Sequence, residues 1–369
     1  VAGSAGAEIV LLPEHLVLVE RELSAWVAYD LRQDDPQPFS FTVPASSEAT
    51  ERSEAGNGAT DAPRIVERVD VVPSRDRVGA WLKIGDERRF VLVEPGRTAL
   101  EHRTLEASVP DGALLLWHAP VLDITYFLAD GMLYAYRAAL AETAIVEEEI
   151  AGWGYLDGSL LLLFADGRVT AMSGVGVRTD ELDPAELSPE LAAELRRFIR
   201  EARAGDRLEV VYADDGSLAL MRSDGRLLII HAGRSRTMPA AGAAADSREE
   251  RLLIWQANRL GSVVLHAEDA DGELLRVAWH RSDSTAPRDV IPIPEIAHAL
   301  YRDGARLMSV LVVPGVDAPP VTVLDAEPGE SVRLSPETGM LVVRNGQAGR
   351  LRLMELVPPE PILTMERLE

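Results

Sequence analysis

Short apolar bursts alternate with charged or glycine-containing turns along most of the chain. Ile9-Val10-Leu11-Leu12, Leu16 to Val19 and Trp26-Val27-Ala28 open the pattern, and Val69-Asp70-Val71-Val72, Val78 to Ile84 and Phe90 to Val93 continue it. Bursts of this length, bounded by turn residues, predict β-strands. Residues 44–64 (PASSEATERSEAGNGATDAPR) contain only one aliphatic type, alanine, apart from proline. Such a segment buries too little surface to offset chain ordering and predicts a flexible acidic loop. Residues 233–250 (GRSRTMPAAGAAADSREE) predict a linker on similar grounds. These breaks divide the chain into N-terminal strands (1–43), a β-repeat region (65–232) and a second β-repeat region (251–369).

Two segments carry helical spacing. Ser188 is placed to cap a helix over 189–204, with Pro189 in its first turn and Leu191, Leu195, Phe198, Ile199 and Ala202 on one face. A second helix is predicted over 294–303, burying Ile296, Ala297, Leu300 and Tyr301.

The most informative pattern is a repeat. DGSLLLLFADGR at 157–168 returns as DGSLALMRSDGR at 215–226, with eight of twelve positions identical. Looser copies run from Ile124 to Asp130-Gly131 and from Gly261 to Asp271-Gly272. The chain holds eight Asp-Gly dipeptides, the pair that favours tight hairpin turns. Successive turn aspartates, Asp130, Asp166, Asp224 and Asp271, are 36, 58 and 47 residues apart, and the longest interval contains the predicted helix. Trp81, Trp117 and Trp153 are also spaced by 36.

Antiparallel strands at this period suit a propeller blade. Through these repeats the chain resembles bacterial β-propeller repeat proteins, including the propeller component encoded beside MoxR-type ATPases and von Willebrand A proteins. The predicted fold is therefore mainly β, a propeller-like array of antiparallel repeats with inserted helices. The alternative is a tandem of α+β domains of about 100 residues, because Gly205-Asp-Arg207-Leu208 and Gly304-Ala-Arg306-Leu307 follow the two helices 99 residues apart.

Composition narrows the chemistry. The 369 residues include 37 Lys+Arg, 60 Asp+Glu and no Cys, for a net charge of -23. Absence of cysteine excludes disulfides, thiol nucleophiles and cysteine-based metal sites. Lys83 is the sole lysine and has no glycine before it, which excludes a phosphate-binding loop. Arginine-rich usage suits a GC-rich bacterial genome. Net negative charge disfavours nucleic acid and anionic lipid as partners. No long apolar run and no basic amino-terminal region occur, so a cytoplasmic location and no membrane contact are expected.

Site signals are sparse. Asp269 and Asp271 lack the remaining ligands of a calcium loop. His118 with Asp123, and His280 with Ser282 and Asp283, contain triad residue types but no nucleophile elbow. Gly174-Val-Gly176 lacks the third glycine of a dinucleotide fingerprint, and Glu147-Glu148-Glu149 reads as a solvated acidic edge. No catalytic, cofactor or metal residue is assigned. The helix over 189–204 carries Arg196, Arg197, Arg200 and Arg203 and is the candidate partner-docking surface. The expected function is a non-catalytic protein-interaction scaffold or adaptor. The resemblance implies an AAA-type ATPase and its adaptor as partners. The alternative is a hydrolase or lyase whose dispersed Asp, Glu, His and Arg meet at a propeller mouth.

Overall fold

Residues 8–42 and 64–355 are described by the computed structural model, except short stretches between elements, including 157, 174–176, 203–206, 215, 247–250, 266–274, 280–287 and 294–297. Strands follow one another as antiparallel meanders. The first holds β1 (Glu8–Leu11), β2 (His15–Val19), β3 (Ala25–Asp30) and β4 (Pro38–Thr42). The second holds β5 (Arg64–Val72), β6 (Arg77–Ile84), β7 (Glu87–Pro95) and β8 (Leu100–Leu105). The third is β9 (Leu114–Ala119), β10 (Ile124–Ala129), β11 (Met132–Arg137) and β12 (Glu142–Glu147). The fourth is β13 (Ile150–Leu156), β14 (Ser159–Phe164), β15 (Val169–Met172) and β16 (Arg178–Leu182). Helix α1 (Pro189–Arg200) precedes the fifth, β17 (Leu208–Asp214), β18 (Ser217–Arg222), β19 (Arg226–His231) and β20 (Arg234–Pro239). The sixth is β21 (Gly242–Asp246), β22 (Arg251–Gln256), β23 (Arg259–Val264) and β24 (Ala278–Trp279). The seventh is β25 (Arg288–Ile293), β26 (His298–Asp303), β27 (Arg306–Leu311) and β28 (Val321–Asp325). The last is β29 (Glu330–Ser335), β30 (Met340–Asn345) and β31 (Arg350–Glu355).

Within each meander every strand pairs with its sequence neighbour. The fourth and fifth meanders join through parallel pairing of β13 with β17, Gly152 opposite Leu208 and Trp153 opposite Glu209. First strands also approach one another between β5 and β9, β17 and β21, and β1 and β29. Inner strands gathered side by side, with the later strands of each meander further out, define a β-propeller.

Packing explains why the strands read as unbroken apolar runs. Each blade has a neighbour on both sheet faces, so alternate residues enter different cores. In β14, Leu160, Leu162 and Phe164 pack with the third blade, whereas Leu161 and Leu163 pack with α1 and the fifth. In β19, Leu228 and Ile230 face the fourth blade; Leu227 and Ile229 face the sixth. The series continues through Leu253 with Tyr301, then Leu300 with Leu341. It closes where Val342 and Leu351 of the last blade meet Ile9, Leu16 and Leu18 of the first. Arg333 strengthens that junction, donating from Nη1 to the Ile9 carbonyl at 2.8 Å.

The strand bounds also locate the repeat. The copies fall in consecutive blades: three are second strands, β10, β14 and β18, and the loosest, β23, is a third strand. Asp130 and Gly131 form one of the intervening turns, with φ of 51° and 74°, the mirror-type geometry that Asp-Gly supports. The tryptophan spacing is less regular: Trp117 and Trp153 lie on first strands, Trp81 on a second.

Three expectations need correction or placement. The predicted linker at 233–250 contains β20, the outer strand of one blade, and β21, the inner strand of the next. Polar Arg234, Ser235 and Thr237 suit an exposed edge. Small residues suit the crowded inner position, where a Cβ on Gly242 would overlap the Trp255 ring. The predicted helix at 294–303 is also overturned, because His298–Asp303 is β26. Ala299 and Tyr301 face one core and Leu300 another, and a strand buried on both faces mimics helical spacing. With 298–303 a strand, the tandem α+β alternative loses its second unit; Leu208 begins a first strand, whereas Arg306 begins a third. Residues 44–63 of the predicted acidic loop lie outside the described residues.

Candidate docking surface

Helix α1 lies in the wedge between the fourth and fifth blades. Ser188 caps it, its Oγ accepting from the Leu191 N–H at 3.3 Å, and Pro189 occupies the first turn, where no intrahelical donor is lost. Leu191, Leu195, Phe198 and Ile199 are buried in the core that both blades share. That face holds the helix in place. The opposite face bears the arginines.

Arg196, Arg197 and Arg200 are exposed. Arg196 Nε donates to the Ala192 carbonyl at 3.0 Å and Arg200 Nε to the Arg196 carbonyl at 3.2 Å. Arg197 Nε lies 3.9 Å from Glu201 Oε1, the pairing expected from their spacing. Arg203 falls outside the described residues. Glu194 does not serve Arg197; its carboxylate accepts from the hydroxyls of Ser235 and Thr237 on β20. Glu194 thus ties the helix to the fifth blade, and the arginines remain outside.

A buried arginine completes the anchorage. Arg222, at the end of β18, is 4% exposed. It donates to Asp224, to Glu201 Oε2 at 3.3 Å and to the Phe198 carbonyl at 3.5 Å, and its guanidinium lies 5.1 Å from the Phe198 ring centre. Hydrogen bonding to Arg222 holds the Asp224 carboxyl below its ordinary pKa, and the same bond raises that of Arg222. Sequence reasoning missed this residue. Its signal was a mismatch inside the repeat, where Arg222 stands at the position of Phe164.

The other sequence candidates do not converge. His118 is buried, with Nδ1 2.9 Å from Thr125 Oγ1, its partner across β9 and β10, and Nε2 4.0 Å from Asp123. His231 and Ser217 form a similar link at 2.8 Å between β18 and β19. Both are cross-strand ties. Glu147 pairs with Arg178 of the next blade. Lys83 lies within β6. Asp269, Asp271, His280, Ser282, Asp283 and Gly174 to Gly176 lie outside the described residues. Among the described residues, no group of three or more His, Asp or Glu is placed to hold a metal ion. No helix among them is long and apolar enough to cross a membrane.

No protein-family model and no curated protein matches this sequence. Solved structures match by shape. The computationally designed protein Ika8 aligns over 96% of this chain and 98% of its own, with 9% identity and a TM-score of 0.52. BamB from Moraxella catarrhalis aligns over 96% and 98%, with 11% identity and a TM-score of 0.49. The β-propeller domain of Cps50 (Swd1) from Myceliophteria thermophila aligns over 80% and 100%, with 12% identity and a TM-score of 0.41. At these identities the likeness concerns the fold. The chain is mainly β and propeller-like.

Proposed function

We propose that this protein is a non-catalytic interaction scaffold, and that α1 is a docking element for an acidic surface on a protein partner. The supporting observation is the division of labour on α1. Its apolar side chains and Glu194 are committed to the blades, while Arg196, Arg197 and Arg200 project from a chain of net charge -23. A rigidly seated cationic stripe on an acidic molecule selects its partner by local rather than net charge. Arginine also suits bidentate contact with carboxylates.

The partner class we favour is an AAA-type ATPase with its adaptor, in which ATP hydrolysis belongs to the partner. The test is affinity purification from the native host with the wild-type chain and with an Arg196→Glu, Arg197→Glu, Arg200→Glu variant. Wild-type protein is expected to recover an ATPase, and the variant to lose at least tenfold of it. Recovery of no protein partner would sink the scaffold reading. Equal recovery on both chains would sink the role of α1.

A further inference from the structure

We infer that the partner segment bound by α1 is itself a helix, carrying two carboxylates one turn apart that engage Arg196 and Arg200, a reading that rests on the docking role of α1. At 3.6 residues per turn, Pro189, Ala193, Arg196 and Arg200 fall on one stripe about 60° wide. All four are exposed. By the same spacing, Glu190, Glu194 and Glu201 fall together on the other edge of the exposed face. Ser235 and Thr237 hold Glu194 there, and Arg222 holds Glu201. No acidic residue lies on the stripe that carries Arg196 and Arg200.

Those two arginines are anchored alike. Each donates from Nε to the carbonyl four residues earlier, Arg196 to Ala192 and Arg200 to Arg196. The anchorage is repeated along the helix with about 6 Å of rise between the two. Among the described residues, neither has a carboxylate within ion-pair distance. Arg197 differs, because its Nε lies 3.9 Å from Glu201 Oε1. Two anchored guanidinium groups a turn apart suit two separate carboxylates, each open to charge-assisted hydrogen bonds.

Spacing and backbone chemistry select the occupant. Side chains four residues apart on a helix share that axial offset, so Asp or Glu at i and i+4 meets both arginines at once. A strand offers a similar separation at i and i+2. It would, however, lay unpaired N–H and C=O groups against a helix whose own backbone is already bonded. A docked helix brings no such groups. The short side chains of Pro189 and Ala193 leave room for it at the other end of the stripe. The α1 of a second copy would set arginine against arginine, and nucleic acid or anionic lipid would meet the net charge of -23.

The test is selection on the immobilised full-length chain from two phage-displayed libraries, a three-helix scaffold randomised on one helix face and an unstructured peptide. Each is counter-selected against an Arg196→Glu, Arg200→Glu variant. The helical library is expected to yield binders with Asp or Glu at i and i+4, at least tenfold tighter than any unstructured peptide. Moving one of these acids to i+2 should cost at least fivefold, a change made on the binder alone, so that folding of this chain is not in question. Arg196→Gln and Arg200→Gln should each weaken binding at least fivefold and Arg197→Gln less than twofold, with thermal unfolding unchanged. The inference fails if helical binders lack the paired acids, if unstructured peptides bind as tightly, if neither library yields a binder, or if Arg197→Gln costs as much as Arg200→Gln. Any of these results leaves the docking role of α1 standing where the charge-reversed chain still loses its ATPase partner. Equal recovery of that partner on both chains removes the docking role itself.

Discussion

Asp30 shows how far single side chains are tuned in this protein. Its carboxylate is buried and accepts from Arg32 Nε at 2.8 Å, Arg32 Nη2 at 3.0 Å and the Arg32 backbone N–H at 3.1 Å. The Arg32 side-chain bond is the main cause that lowers its pKa from 3.8 to about 2. A carboxylate more acidic in the folded state stabilises fully above its unfolded pKa and loses that contribution on acidification. The window therefore runs from about pH 4 down to about pH 2. Asp30→Asn is expected to cost about 1 kcal/mol at pH 7, because Arg32 remains partly solvated. Denaturant melts at pH 7, 4 and 2 should show the gap between variant and wild type closing across that window. Arg222 makes a second residue-scale case. Arg222→Ala removes a buried cation with four acceptors and is expected to cost about 2 kcal/mol. It should also raise amide exchange across 189–201, while exchange in β10 and β11 stays unchanged.

Elements are decided by what lies on each side of them. Helix α1 was legible because its cap, its proline and its apolar stripe are local signals. Strand β26 was not, because contacts with two separate cores gave His298–Asp303 the spacing of a helix. Strand β21 was hidden for a related reason: close packing under the Trp255 ring of β22 requires glycine at 242, and glycine and alanine also compose linkers. The same crowding makes a sharp prediction at β13. A Cβ on Gly152 would sit 2.5 Å from the Leu208 carbonyl oxygen, and one on Gly154 would overlap the Val210 carbonyl. Only glycine lets β13 and β17 pair here. Gly154→Ala is expected to cost about 3 kcal/mol, read as a lower unfolding midpoint with increased exchange at Leu208 to Val210.

At the scale of the molecule, stability depends on closing the ring. Leu16 and Leu18 face the last blade, whereas Val17 and Val19 face the second. Leu16→Ala should cost about 2–5 kcal/mol and loosen both ends of the chain, so exchange should rise in β2 and β30 together. A rise in β2 alone would mean that the terminal blades are not coupled. The sequence by itself determined the strand character, the hairpin repeat, the amphipathic helix at 189–200 with its arginines and the lack of thiol or phosphate-loop chemistry. Each is set by local composition and by periods of two or 3.6 residues. Only the tertiary structure decided that 234–239, 242–246 and 298–303 are strands and that Arg222 fastens α1. Those outcomes depend on contacts between residues remote in the chain, where burial on two faces, close backbone approach and charge pairing override the local pattern.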